Sequence, residues 1–498
     1  MTTALHSEFD SSTFGLPVLD AADPHAIYRS PLVERYASAA MVGLWSARTR
    51  HGLWRRLWLA LAESQAELGI PLPDGALEAM RGHLDDIDFD AVAQYEKRFR
   101  HDVMAHVHAF GDDAPAARGV IHLGATSAYV TDNADLILLR EGLRLLRDKL
   151  LTVLSALAEF ARIWRDEPAL GYTHLQPAQL TTVGKRAALW MQDLVLDIAE
   201  IDHRMSTLPF RGVKGTTGTQ ASFLALFHGD HAKVRELDRR VTARMGFAES
   251  IPVSGQTYTR KLDGFVLATV AGVAASASKI SGDVRMLQAF GELEEPFEKE
   301  QIGSSAMAYK RNPMRSERIA ALARFVLSLE PNGNQTHAVQ YFERTLDDSA
   351  NRRLALPESF LATDAMLVLL ANIARGFEVH PARIQRRIAD ELPFMATEEL
   401  LVRAVQAGGD RQRAHEVIRR HSIAAARAMK DGGAHNDMLE RLAADPEFGV
   451  ALGDLHGALD ARRFVGRSPQ QVDEFLAEVV MPLLAAHHSA APLDEVRV

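Results

Sequence analysis

Three stretches of the chain place apolar residues at alternating intervals of three and four, the period of a helix with one buried face. The first follows the cap-like run Thr131-Asp132-Asn133 and reads Leu136, Leu139, Leu143, Leu146, Leu150, Val153, Leu157, Phe160 and Trp164 without a break. The second holds Leu180, Val183, Ala187, Trp190, Leu194, Ile198, Ile201 and Met205, and stops before Pro209. The third reads Val266, Val270, Val273, Ala277, Ile280, Val284 and Leu287, and stops before Pro296. Each predicts a helix of about 30 residues, or about 45 Å at 1.5 Å per residue. Ordinary globular helices are shorter, so three such rods predict a bundle whose apolar faces extend onto another subunit.

Shorter helical patterns flank the bundle. Residues 16–120 read as an N-terminal helical domain, with turn signals at Pro71-Leu72-Pro73-Asp74-Gly75. Residues 121–375 form the central long-helix domain, and 376–498 a C-terminal helical domain with amphipathic segments at Arg411 to Met429 and Pro469 to Leu484. Polar, Gly/Ser/Thr-rich connections separate the rods at 121–133, 171–177, 209–222, 252–260 and 296–315. Strands do not alternate with helices, and no repeat is present. The expected fold class is all-α.

Composition narrows the function. Of 498 residues, 47% are apolar and 24% charged, the balance of a soluble globular protein. Acidic residues outnumber basic ones, 65 to 56, for a net charge of −9. That argues against nucleic acid as a partner, although a local arginine cluster could still hold one phosphate. The absence of cysteine excludes disulfides, thiolate metal sites and a cysteine nucleophile. The start has no secretory pattern, and the uncharged run from Gly264 to Ser278 is too short for a membrane span. A cytoplasmic protein with no membrane partner is expected.

The candidate chemistry lies in the connections. Gln301 to Glu317 sets Ser304 and Ser305 among small residues ahead of Lys310, Arg311 and Asn312. Hydroxyls and backbone N–H groups beside fixed positive charge suit a carbanion delocalised onto a carboxylate, though a capped basic surface loop has the same composition. His174 stands just before a helix expected to begin near Pro177, where it is a proton-transfer candidate or a plain loop histidine. His101, His106 and His108 lack metal-pair spacing, and no zinc motif occurs. Thr126 and Ser127 precede the first rod, as caps or as anion binders. The Gly212/Gly215/Gly218 run lacks the order of a phosphate loop. Arg344, Ser349 and Arg353 could grip a phosphate or form a solvated charged face.

Together these segments resemble the fumarase/aspartase superfamily, whose signature GSSxMPxKxNP is matched by GSSAMAYKRNP from Gly303 to Pro313. Within it the chain resembles the animal-type adenylosuccinate lyase family. The likeness runs from SPLVERYAS through RHDVMAHVH, IHLGATS, GYTHLQPAQLTTVGKR, FRGVKGTTGTQASF, SGQTYTRK, FERTLDDSANRR and ELPFMATE to the C-terminus. Ala308 replaces the signature proline, which leaves the loop backbone freer. Residues 1–15 have no counterpart and are expected to be disordered.

The resemblance implies a long-helix bundle that eliminates fumarate from adenylosuccinate and from its ribotide analogue SAICAR. It implies Ser304 as general base and Lys310, Asn312, Thr126 and Ser127 as holders of the dianion. His174 would be the general acid, oriented by Glu317, with His101 positioning the phosphate or the leaving group. Arg35, Tyr36, Arg344, Ser349 and Arg353 would surround the nucleotide, with Arg100, Asp102, Gln256 and Arg318 completing the substrate set. No metal or organic cofactor is implied, and the assembly is a homotetramer with shared sites. The first rod agrees, because about 45 Å of helix separates Thr126, Ser127 and His101 from His174. An argininosuccinate-type lyase and a non-catalytic, crystallin-like scaffold remain as alternatives.

Overall fold

The computed structural model describes residues 27–433 and 435–487, so the extension at 1–15 lies outside the described residues. Five long helices form its centre: α1 (Ser127–Ile163), α2 (Val183–Thr207), α3 (Lys261–Phe290), α4 (Met314–Leu329) and α5 (Asp348–Gly376). The all-α class holds. Strand among the described residues is confined to two antiparallel pairs, the hairpin β1 (Pro168–Thr173) with β2 (Gln176–Thr182) and the long-range pair β3 (Leu293–Glu294) with β4 (Glu378–Val379).

Side-chain pairs give the direction of each rod. Arg147 of α1 meets Asp202 of α2 at 3.1 Å, while the Gly184 N–H donates to the Trp164 carbonyl at 2.9 Å, so these two run antiparallel. Trp190 Nε1 donates to Asp283 at 2.7 Å and Thr269 Oγ1 to Glu200 at 3.1 Å, so α3 reverses again. At one end of α5, Arg352 bonds Asp263 of α3 at 2.7 Å. At the other end Phe377 stacks 5.0 Å from Phe160 of α1. Thus α1, α3 and α5 point the same way, and α2 and α4 return.

Two expectations at the element ends need correction. Thr131-Asp132-Asn133 is not a cap: α1 begins at Ser127, with Thr126 as its N-cap, and reaches 37 residues, about 55 Å. Asp132 is instead a buried ion partner. Nor does a helix begin near Pro177. Gln176–Thr182 is a strand, and Thr182 caps α2 by accepting the Lys185 N–H at 3.1 Å. Leu180, which fits the helical stripe, is a buried strand residue. Thr181 and Thr182 are β-branched and favour this extended form.

The fifth rod, α5, has no stripe to find. Nearly every position from Ala355 to Ala374 is buried, because the helix is surrounded by α1, α3 and α4. A helix enclosed on all sides needs no polar face. It also contains Pro357, which removes the N–H that would bond the Arg353 carbonyl. By length and composition both α3 and α5 could cross a membrane, yet most of each lies inside the bundle. A second apolar cluster, including Leu400, Val417, Ile418, Leu439 and Leu455, is formed separately by helices between Thr397 and Ala458.

Where α1, α3 and α5 begin, buried ions join them. Arg260, at the head of α3, donates to both oxygens of Asp132 at 3.2 Å and to Asp348 at 2.8 Å. Arg352 bonds Asp263 and lies 3.0 Å from Asp135, whose other oxygen accepts from Arg50 at 2.6 Å. Tyr258 donates its hydroxyl to Asp263 at 2.6 Å and its N–H to Asp132 at 2.8 Å. Burial raises the Asp135 pKa, but Arg50, Arg352 and Arg260 more than offset it and hold the carboxyl below its ordinary range.

Replacing Arg260 with Met should therefore destabilise the fold by about 3–5 kcal/mol, since two carboxylates would be left buried without their counter-charge. Arg162→Ala, which breaks only an exposed pair with Glu159, should cost no more than about 0.5 kcal/mol. Chemical denaturation at one protein concentration compares them, and equal midpoints would show that the network is not a structural tie.

Candidate active site

The convergence of α1, α3 and α5 leaves a cleft of about 1080 Å³ beside it. Its walls include nine of the residues singled out from sequence: Arg100, His101, Asp102, Thr126, Ser127, Gln256, Arg344, Ser349 and Arg353. Local structure explains how they arrive there. Arg100 ends the helix Phe89–Phe99 in a left-handed conformation, φ 53°, which turns the chain directly into the helix Asp102–Asp113. His101 caps that second helix, its Nδ1 accepting the Met104 N–H at 3.3 Å. With Nδ1 committed as an acceptor, the neutral ring carries its proton on Nε2, which lies 3.3 Å from Ser127 Oγ. His101 thus presents a donor to the cleft.

A polar relay crosses the floor. Arg344 donates to Gln256 Oε1 at 2.9 Å, and Gln256 Nε2 donates to Thr126 Oγ1 at 3.4 Å. Arg353 reaches Asp102 at 3.4 Å. Neither α1 nor α5 has its first N–H groups bonded by a capping side chain, and both open into the cleft. Helix N-termini without a capping side chain, beside arginines, favour an anion such as phosphate.

Several wall residues escaped the sequence reading. Arg50, Arg260 and Arg352 serve the buried ion network and also line the cleft. His51, which escaped it too, packs on His106, read from the sequence only as a histidine without metal-pair spacing, with ring centroids 3.9 Å apart. Burial pushes His51 down to about 4 and His106 down to about 3, so both are neutral near pH 7. Nothing in their local sequence signals this, because the stack forms between two separate helices. The glycine run at 212–218 is a folding device instead: a side chain at Gly218 would strike the Ser254 carbonyl at 1.7 Å.

The remaining candidates lie elsewhere in the chain. Ser304, Lys310 and Asn312 follow the far end of α3, and Glu317 and Arg318 occupy the first turns of α4. From Arg260 in the cleft to Gln288, which bonds the Arg311 carbonyl, the axis of α3 covers about 42 Å. Ser304 Oγ accepts the N–H groups of Ala306 at 3.3 Å and Met307 at 3.1 Å. Two donors on one hydroxyl oxygen lower the cost of removing its proton.

Tyr36 stacks against Arg318, 5.0 Å from ring centroid to guanidinium carbon, and against its neighbour Arg35. Ser38, two positions on, bonds Asp364 at 2.7 Å, about 24 Å along α5 from Asp348. So within one chain Arg35 and Tyr36 do not join Arg344, Ser349 and Arg353. Nor do Lys310 and Asn312 join Thr126 and Ser127.

His174 occupies the tip of the β1–β2 hairpin at the far end of α1. Thr173 pairs with Gln176, so the turn has two central residues, His174 at φ 53° and Leu175 at φ 58°. Turns of this kind normally use Asn-Gly, and a leucine there is strained by about 1–3 kcal/mol. The His174 ring is exposed and makes no hydrogen bond or ion pair among the described residues, with Glu317 or any other group. One chain therefore carries an arginine-lined cleft suited to an anion at one end of the bundle, and the His174 hairpin and the Ser304–Asn312 loop at the other.

Comparison with known proteins identifies the family. Residues 38–327 match the lyase family, and residues 393–475 match the adenylosuccinate lyase C-terminus family. The chain is 50% identical over 477 residues to adenylosuccinate lyase of Schizosaccharomyces pombe, covering 95% of this chain and 99% of that protein. It is 52% identical to the Saccharomyces cerevisiae adenylosuccinate lyase, with 91% and 95% covered. The Schistosoma mansoni enzyme is 45% identical, with 94% and 98% covered. Among solved structures, the 3-carboxy-cis,cis-muconate lactonizing enzyme of Pseudomonas putida shares the fold at a TM-score of 0.77 and 22% identity, over 91% of this chain and 99% of that one. With half its residues shared along nearly the whole length of these relatives, the chain belongs to the adenylosuccinate lyase family of the fumarase/aspartase superfamily.

Proposed function

We propose that this chain is a cytoplasmic enzyme that eliminates fumarate from adenylosuccinate, giving AMP, and from SAICAR, giving AICAR. It does so in a homotetramer whose sites each combine the cleft of one chain with the Ser304 loop and His174 hairpin of others. Ser304 takes the Cβ proton of the succinyl group, Lys310 and Asn312 hold the resulting dianion, and the C–N bond breaks to leave a C=C bond. His174 returns a proton to the departing nitrogen, and Arg344, Ser349 and Arg353 hold the phosphate. The chemistry uses side chains alone. One observation carries this reading: the arginine-lined cleft lies at one end of the bundle, and the loop with Ser304 and the hairpin with His174 lie at the other.

The surfaces around both halves support assembly. Leu175 is 74% exposed, Ile302 84%, Tyr309 85% and Phe342 97%. Each stands within two positions of a site residue, and contiguous exposed apolar surface is normally covered by a partner. An argininosuccinate-type lyase would not need the phosphate-gripping arginines, and a structural scaffold would not need a doubly hydrogen-bonded Ser304.

Fumarate release is therefore expected with adenylosuccinate and SAICAR and not with argininosuccinate, and an absorbance assay decides among the three. Losing one charge-assisted phosphate contact costs about 1.5–3 kcal/mol, so Arg353→Ala should bind AMP about tenfold more weakly or worse. Unchanged AMP affinity in a folded variant would remove Arg353 from the phosphate site.

Co-assembly tests the sharing directly. His101→Ala and His174→Ala proteins, each folded and inactive alone, should regain activity when dissociated and reassociated together. With random mixing, about one quarter of sites would hold both native histidines. A mixture as inactive as its parents would reject the shared site.

Ala308 has a structural reading too. The Lys310 N–H donates to the Met307 carbonyl at 3.0 Å, closing a four-residue turn with Ala308 second. Proline is favoured at that position, and the Ala308 N–H has no acceptor among the described residues. Ala308→Pro should thus order the loop by about 0.4–1 kcal/mol and lower KM for adenylosuccinate by up to about fivefold. A fall in kcat/KM would show that the loop needs the freedom alanine allows.

A further inference from the structure

Arg311 stands between Lys310 and Asn312, yet its side chain turns away from both. One guanidinium nitrogen, Nη1, lies 3.1 Å from Glu294 and 2.8 Å from Glu378. The guanidinium also covers the Phe297 ring, 5.0 Å from its centroid. Glu294 and Glu378 face each other across the β3–β4 pair. Like charges directly opposite in an antiparallel pair repel, and a single cation between them converts that repulsion into a clip. The backbone is held as well, because the Arg311 carbonyl accepts from Gln288 at 3.1 Å. Gln288 lies in the last turn of α3 and Glu378 just beyond α5, so the clip fastens the loop to the ends of two parallel rods.

The other stem of the loop is pinned independently. The Glu295 carboxylate accepts the N–H groups of Arg315 at 2.9 Å and Ser316 at 3.0 Å, capping α4 from twenty residues upstream. Arg315, fully buried, bonds the Pro296 carbonyl and Glu298. Within the loop, Asn312 Nδ2 donates to the Gly303 carbonyl at 2.6 Å. A side chain on Gly303 would meet the Lys310 carbonyl at 2.0 Å, so the two strands of the loop touch there. Residues 303–304 and 310–312 are consequently one block, and Arg311 is its attachment to the bundle.

We infer that Arg311 is a positioning residue for the elimination. Its clip to Glu294 and Glu378 sets where Lys310 and Asn312 stand and, through Gly303, where Ser304 stands. This rests on the reading above in which those three groups act on the succinyl carbons. Arg311 and Glu378 are each 40% exposed, and such surface pairs contribute little to stability. The clip therefore acts on rate. AMP lacks the succinyl group on which Ser304, Lys310 and Asn312 act in that reading, so its affinity does not depend on the clip.

The test compares the wild type with Arg311→Gln, Arg311→Lys, Glu378→Gln and the Arg311→Gln/Glu378→Gln double variant. Readouts are kcat and KM for adenylosuccinate, AMP affinity, thermal midpoint, and hydrogen exchange across residues 299–312. Misplacing reacting groups by about 1 Å can cost up to about a hundredfold. Arg311→Gln should lower kcat by about tenfold to a hundredfold while AMP affinity and thermal midpoint stay near wild type. Arg311→Lys should recover part of the loss. The double variant should be no slower than Arg311→Gln, since the two act through one contact. An unchanged kcat, strictly additive losses, or a lower midpoint with normal kcat per folded site would each overturn the clip. If the wild type itself releases no fumarate, the catalytic reading fails. Hydrogen exchange then decides the clip separately: faster exchange in Arg311→Gln upholds it, and unchanged exchange rejects it.

Discussion

Three helices that start side by side and point the same way bring three positive dipole ends together, which is unfavourable unless negative charge is placed among them. Asp132, Asp135, Asp263 and Asp348 supply that charge from the opening turns of α1, α3 and α5, and Arg260 and Arg352 tie the carboxylates together. The ions are buried, so each must find its partners. This satisfied network allows the parallel arrangement, and the cleft follows from it. With these aspartates paired to Arg260 and Arg352, the uncapped heads of α1 and α5 open into a cleft whose walls carry Arg344, bonded to Gln256, and Arg353, bonded to Asp102.

The same parallelism gathers the opposite ends. The hairpin carrying His174 grows from the end of α1, the loop carrying Ser304 from the end of α3, and β4 follows the end of α5. With rods of 37, 30 and 29 residues, no side chain spans the gap. A helix cannot be bent back on itself to close such a site, whereas an antiparallel neighbour brings the two ends together without deformation. In the proposed shared-site assembly, the exposed apolar residues at both ends and the strained His174–Leu175 tip are the segments that would meet another surface.

Between those ends the signature loop is neither free nor rigid throughout. Its stems are held by Glu295 with the head of α4, and by Arg311 with β3 and β4. The turn containing Ala308 lies between these anchors, so replacing the family proline changes the ordering of the tip and leaves the anchors as they are.

Three of the long helices and the all-α class were legible in the residues alone, because amphipathic periodicity is a local property of the chain, and a contiguous motif marked the connections as the candidate chemistry. The sequence did not reveal α5, which is apolar on every side for the very reason that it is central, nor the β1–β2 hairpin, where Leu180 mimics the start of a helical stripe. Asp132 read as a cap because its role depends on Arg260, 128 positions away. Only the tertiary structure decided which helices run parallel, and hence which candidates share a cleft and which stand at the far end. That choice is made by contacts between residues distant in sequence, and no local pattern records them.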